Sequence, residues 1–279
     1  MMVRSPAKLR SELTALGRLE DDRLRPAEIM LALAALDRGA AGSASHLEFL
    51  DTLGAELAAS LEEAAPVEEL AASLFRMITH HHRFHLDDGD DDDVSNADLG
   101  RVIDQRCGVE GLLGLLAMDA ARQAGLMAHI LAFPSHVLLR LEDSAGRRGI
   151  FDPALGGQGV EAWDLRALVK ASAGLSAELD PAHYGVMGNR DLVIRLRNDV
   201  KLRLLRCGRL EQALAVVEAT LLVAPCAAML WREAGLMHLR LDNPGGAVAA
   251  LEQFVARTCN AVARAKTIAL LADLKTRLR

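Results

Sequence analysis

The chain has 279 residues, 51% of them apolar, and a net charge of −6. That is enough apolar surface for a buried core and the wrong sign for binding nucleic acid through its phosphates. Aromatics make up only 3%, and Ala and Leu supply the apolar share, which favours helices and argues against an all-β architecture. Four widely spaced cysteines, Cys107, Cys207, Cys226 and Cys259, form no CxxC pair, a pattern that suits neither a zinc ribbon nor a disulfide scaffold.

The opening stretch, MMVRSPAKLRSELTALGRLEDD, has charges throughout and no apolar h-region, so it does not read as a secretory signal. Nor does any apolar run reach the ~18 residues of a membrane span. A cytoplasmic location with reduced thiols and no membrane contact is the expectation. Residues 25–38 (RPAEIMLALAALDR) predict a helix with Pro26 in its first turn and an apolar face through Ile29, Leu31, Leu33 and Leu36. Further helices are predicted from His46 to Leu61 and from Val67 to Met77, so residues 1–78 read as a helical segment packing on a core formed later in the chain.

The tract THHHRFHLDDGDDDD, Thr79 to Asp93, has four His followed by six Asp and one Gly. His suits zinc or nickel and carboxylates suit calcium or magnesium, but Asp87-Asp88-Gly89-Asp90 lacks the alternation and the Glu of an EF-hand loop. Crowded like charges favour a solvated loop, and no metal is expected on the tract. Residues 79–98 thus read as an acidic, His-rich loop. Ser95 or Asn96 is the expected cap of a helix running to Gln105.

From Gly108 to Gly125 the spacing of Leu112, Leu113, Leu115, Leu116, Met118, Ala120, Ala121 and Ala124 predicts a core helix ending at a C′ glycine. Two strands, Met127 to Phe133 and Val137 to Leu141, come after it, with His136 at the start of the second. A turn over Glu142 to Arg148 leads into a third strand, Gly149 to Asp152. Ala162 to Ala171 predicts another helix, and 174–190 a loop-rich connection. Residues 191–279 read as helical throughout. Ala213 and Ala247 stand 34 apart, the tetratricopeptide period, with Pro225 closing the first unit and Trp231, Ala234 and Gly235 in the second. Two such repeats fall short of the usual three, so they are expected to dock on the preceding domain.

These pieces, CGVEGLLGLLAMDAARQAGL, FPSHVLLRL and GIFDPALGG followed by the helical repeats, resemble the transglutaminase-like superfamily, most closely its SirB-type branch. The resemblance implies an α+β architecture: a helical N-terminal segment, a transglutaminase-like core over 99–190 with a helix packed on an antiparallel sheet, and C-terminal tetratricopeptide-like helices. It also implies a catalytic Cys-His-Asp constellation, in which a thiol at a helix start is activated by the dipole, a His takes its proton and an Asp orients the imidazole. His136 and Asp152 match the family's His and Asp. Counting back from Gly125 by the family's spacing, however, reaches Glu110, and the nearest thiol, Cys107, lies upstream of Gly108. Asn96 and Ser135 flank the same cleft in this reading.

Two functions stand as alternative expectations. One is a non-enzymatic scaffold or regulatory protein that binds a peptide or protein through the degenerate cleft and the repeats, with no cofactor. The other is a thiol-dependent amidohydrolase or acyltransferase using Cys107, His136 and Asp152. In the first, Glu110 at a helix N-terminus is expected to be held ionised by the dipole and to pair with His136.

Overall fold

The computed structural model describes residues 5–39, 44–87, 89, 93–134 and 136–277. Four helices come first: α1 (Pro6–Leu16), α2 (Pro26–Asp37), α3 (Ala44–Ser60) and α4 (Val67–Phe75). Both α1 and α2 carry Pro in the first turn, where a missing N–H removes no helical bond. α1 was not anticipated from its short, weak apolar pattern, yet its Leu9 and Leu13 are fully buried.

α4 does not give way to a loop at Thr79. It runs on through a π-helical turn, Arg76–His81, whose Met77 and Ile78 are buried, and the His82 N–H donates to the Met77 carbonyl at 2.9 Å. Burial of those two side chains keeps the backbone helical into the His-rich tract. The acidic residues Asp88 and 90–92 lie outside the described residues.

The chain then makes a short strand, β1 (His85–Leu86), a 3₁₀ turn (Val94–Ala97), α5 (Leu99–Gln105) and a second short strand, β2 (Cys107–Gly108), parallel to β1. The cap of α5 is neither Ser95 nor Asn96. Asp98 accepts from the Arg101 N–H at 3.2 Å, while Asp93 caps the 3₁₀ turn through Ser95 N–H at 2.8 Å. Each carboxylate stands one residue before a helical start, the position a cap must occupy, whereas Ser95 and Asn96 lie inside the 3₁₀ turn.

The core helix is α6 (Glu110–Gln123). Its residues from Gly111 to Ala121 are all buried, because it is enclosed by α2, α3 and α4 as well as by the sheet. It ends as expected, with Gly125 at φ +85°, a conformation that favours glycine. The sheet is an antiparallel meander of β3 (Met127–Ile130), β4 (Leu139–Glu142), β5 (Arg148–Asp152) and β6 (Gln158–Gly159). Ala128 opposes Leu141, and Ile130 opposes Leu139, which opposes Phe151. Directly paired residues share a face, and this buried face joins α6 in the main core. On the other side, α7 (Ala162–Ala173) seals a smaller cluster of Leu131, Phe133, Leu138, Leu165 and Val169.

Five helices complete the chain: α8 (Asn189–Arg206), α9 (Leu210–Val223), α10 (Ala228–Arg240), α11 (Pro244–Arg257) and α12 (Ala261–Arg277). The pairs α8/α9 and α10/α11 are antiparallel neighbours, and Ala213 and Ala247 occupy matching places in α9 and α11. Pro225 closes the first pair by accepting from Trp231 Nε1 at 2.9 Å and Arg257 Nε at 2.8 Å. The repeats are docked on the preceding domain. Leu192, Val193 and Leu196 of α8 and Ala219 and Val223 of α9 belong to the main core.

The basic residues Arg195, Arg197, Lys201, Arg203 and Arg206 of α8 include structural latches. Arg197, 2% exposed, makes two bonds to Asp37 of α2 at 2.5 and 2.9 Å, and Lys201 pairs with Glu233 of α10 at 2.7 Å. Removing one partner of a buried pair strands the other charge. Asp37→Ala, which strands the buried Arg197 guanidinium, should therefore lower unfolding stability by about 3–5 kcal/mol. The Asp37→Ala/Arg197→Ala double variant should lose less than the sum of the two singles, as read from urea denaturation in a double-mutant cycle.

Candidate functional site

A polar cleft of 660 Å³ opens where α6 begins, walled by the Phe133–Val137 segment on one side and α8 on the other. Leu86, Asp87, Val109, Glu110, Val137, Arg195, Asn198, Asp199 and Arg203 contribute to its lining. Two glycines make it possible. A Cβ at Gly111 would stand 2.6 Å from Leu196 Cδ2, and one at Gly114 2.6 Å from Val137 Cγ1, so both neighbours can approach α6 closely only because those positions are bare.

Glu110 is the first residue of α6, and its Oε1 accepts from the Val137 N–H at 2.5 Å. The carboxylate thereby tethers the loop that carries His136. The expected ionisation by the helix dipole is not what governs it. Burial pushes the Glu110 carboxyl above its ordinary value, outweighing the Val137 bond and the attraction of His136 and Arg195, and Asp152 adds to the rise. Desolvation opposes the ionised form because the group is inside the fold rather than at an exposed helix end.

His136 is not on a strand. It lies in the connection before β4, half-buried, with its ring edge-on to Phe133 at 6.4 Å between centroids. Arg195 fixes that connection by donating to the Phe133 carbonyl at 2.8 Å and the His136 carbonyl at 2.9 Å. Asp152 ends β5 and is 4% exposed. Its Oδ1 accepts from Ala154 N–H at 2.8 Å and Leu155 N–H at 3.3 Å, a turn-forming role. Glu110 is thus within electrostatic reach of both His136 and Asp152.

Cys107 does not begin the core helix. It sits on β2, after Arg106 in a left-handed conformation at φ +60°. Its Sγ approaches Asp87 Oδ1 at 3.8 Å, and it is absent from the lining of the cleft. Asn96 donates from Nδ2 to Asp87 Oδ2, so Asp87 joins Cys107 and Asn96 in one polar cluster. Ser135 lies outside the described residues. Sequence reasoning missed Asp87, Asn198 and Asp199 as cleft residues. Asp199 is also raised above its ordinary value by burial, against the pull of Arg195, Arg203 and Arg206. The available signal was the Arg195/Asp199 spacing of four on a helix, which puts both on one face.

With the helix start, sheet and cleft in these places, the class is defined. A transglutaminase-like superfamily profile matches residues 44–198 and a tetratricopeptide-repeat profile matches residues 200–272, so the chain belongs to the transglutaminase-like superfamily and carries tetratricopeptide repeats after that domain. Among individual proteins it is similar to a UPF0162 protein of Xylella fastidiosa, 25% identical over 166 residues, 58% of this chain and 59% of the relative. Protein SirB1 of Salmonella typhimurium is 26% identical over 157 residues, 56% of this chain and 58% of that protein. A UPF0162 protein of Pseudomonas aeruginosa is 27% identical over 217 residues, 78% of both. The matched region spans 59% of the length of the first of these curated relatives. Among the described residues no helix is long and apolar enough to cross a membrane.

The raised Glu110 value has a defined sign for stability. The folded chain holds this proton more tightly than the unfolded chain, so the contribution is complete below the unfolded carboxylate range and is lost as pH rises through the folded value. Glu110→Gln keeps an acceptor for Val137 N–H and removes the titration. Its stability relative to wild type should increase as pH rises out of the ordinary carboxylate range in urea unfolding; a variant-minus-wild-type difference that falls with pH would contradict the burial argument. Glu110→Ala should follow the same trend with pH but lie about 1–3 kcal/mol below Glu110→Gln throughout, because Val137 N–H loses its acceptor.

Proposed function

We propose that this chain is a non-enzymatic transglutaminase-like scaffold or regulatory protein, one that binds a peptide or protein partner through the degenerate cleft and the helical repeats. The observation that carries the reading is Glu110. A carboxylate stands at the helix start where the resemblance implies a thiol, and it is bonded to the loop opposite. Such a group cannot attack a carbonyl in the thiol's manner, and its bond to Val137 N–H holds the cleft wall instead. Cys107, the only thiol nearby in sequence, is on β2 with its Sγ turned to Asp87 Oδ1 at 3.8 Å and does not line the cleft.

The cleft that remains has peptide-like recognition chemistry: carboxylates from Asp87, Glu110 and Asp199, guanidinium groups from Arg195 and Arg203, and an amide from Asn198. Stacked helix pairs offer a second surface of the kind repeat proteins use for protein contacts. A cytoplasmic setting fits the four cysteines, none of which is in a disulfide, since reducing compartments keep thiols reduced.

The test has two arms. In a Cys207→Ser/Cys226→Ser/Cys259→Ser background, glutamine-amide and ester substrates should turn over at the same background rate with and without Cys107→Ala. Turnover that disappears in Cys107→Ala would replace this proposal with the thiol enzyme using Cys107, His136 and Asp152. In the second arm, peptides selected by display on the full chain should lose about tenfold or more in affinity when Asn198→Arg fills the cleft, measured by fluorescence anisotropy. Selection of no cleft-dependent peptide would count against the binding role.

A further inference from the structure

A second cluster lies away from the cleft, where α3 meets the end of the π-helical turn. Glu56 from α3 and His81 and His82 from the turn each offer a ligand atom, and these atoms all lie within 4.8 Å of one another. Glu56 Oε2 and His82 Nε2 are already 2.6 Å apart, and the His81 and His82 rings stand 4.9 Å apart, edge to face. Neighbouring side chains of a regular α-helix diverge around its axis. Here the chain leaves the helix at His82, whose backbone N–H bonds to Met77 O in a π-type turn, and the two imidazoles come together. π-helical turns recur at functional sites for this kind of repositioning.

The cluster is built on one side and open on the other. Phe49, one helical stretch before Glu56 on α3, lies edge-on to the His82 ring at 5.5 Å between centroids and is itself covered by the Arg106 guanidinium at 4.2 Å. That stack limits where His82 can turn. Glu56 and His81 instead face a surface cavity of 750 Å³ that His80 and Arg76 also line.

We infer that Glu56, His81 and His82 form a divalent transition-metal site of the zinc class. Two imidazoles and one carboxylate suit a borderline cation such as zinc, whereas calcium and magnesium take oxygen ligands. Tetrahedral zinc, with bonds of ~2.0–2.1 Å, needs its ligand atoms about 3.3 Å apart. Small rotations of Glu56 and His81, the side chains facing the cavity, close the difference. Three protein ligands leave one coordination position open toward the cavity. The His-rich tract supplies no ligand motif by its own spacing, and the completing ligand comes from a different helix. Bound metal would tie α3 to the segment leading into β1, which places Asp87 at the cleft.

The test uses untagged, metal-free full-length protein titrated calorimetrically with zinc chloride. One zinc per chain with a dissociation constant of about 10 µM or tighter is expected. Glu56→Gln and His81→Ala should each weaken binding about tenfold or more while leaving the circular dichroism spectrum unchanged. Changing Asp88 and Asp90, Asp91 and Asp92 to Asn should leave binding at the wild-type level. The inference is overturned if the wild type shows no saturable binding below about 100 µM zinc. It is equally overturned if binding survives both Glu56→Gln and His81→Ala, or if the Asp-to-Asn variant abolishes it, which would place the ion on the acidic tract.

Discussion

The close approach of α8 to the start of α6 is the constraint that shapes both halves of the molecule. Gly111 leaves a space that Leu196 fills, and this single packing step gives α8 two roles. Its N-terminal half, through Leu192, Val193 and Leu196, completes the transglutaminase-like core. Its later residues, Val200 and Leu204, open a second core shared with α9 and α10. A helix that belongs to both cores cannot swing away without exposing apolar side chains on each. The cost of such exposure, about 1.5–3 kcal/mol for each large side chain, is large against the stability of a whole domain. Two repeats, too few to stand alone, therefore gain their stability from the domain before them.

The same approach makes the cleft what it is. Arg195 projects from α8 to the carbonyls of Phe133 and His136, while Glu110 reaches from α6 to the N–H of Val137. One loop is thus held from opposite sides, its donor by a carboxylate and its acceptors by a guanidinium. Both latches are charge-assisted and partly removed from water, the setting in which such bonds are strongest. Burial raises Glu110 and Asp199 together, and the arginines of α8 are the counterweight that allows two carboxyl groups to share one cleft.

Where periodicity was strong and local, the architecture was legible in the sequence. The leucine and alanine spacing of α6, the Gly125 terminus, the three strands and the period of 34 between Ala213 and Ala247 each reflect a pattern contained within a few turns or one repeat. Less legible were features decided by contact with a distant element. α1 has little pattern of its own and is helical because Leu9 and Leu13 find a core made elsewhere. The His-rich tract looked like a loop because its composition is polar, but Met77 and Ile78 carry it into the helix first. Cys107 was placed just upstream of the core helix, but nothing local foretells that β2 pairs with β1 and takes that residue into a strand. Asp199 and Glu56 matter through partners on other helices, and nothing in a linear reading joins Glu56 to His81 and His82.

Asp152 and Glu110 each support the walls of the cleft through bonds to backbone N–H groups. Asp152 accepts the N–H groups of Ala154 and Leu155 while its own carbonyl takes the Gly157 N–H at 2.8 Å. That turn sends β5 into β6, and replacing its carboxylate would remove the acceptor that two of the turn's N–H groups share. Glu110 likewise satisfies a backbone N–H that no neighbouring strand reaches. Each residue thus has a part in holding the cleft walls. The His136 loop, pinned by Glu110 and Arg195, keeps its shape for the same reason. A cleft maintained in this way stays open and polar because charged side chains from two helices tie one of its walls.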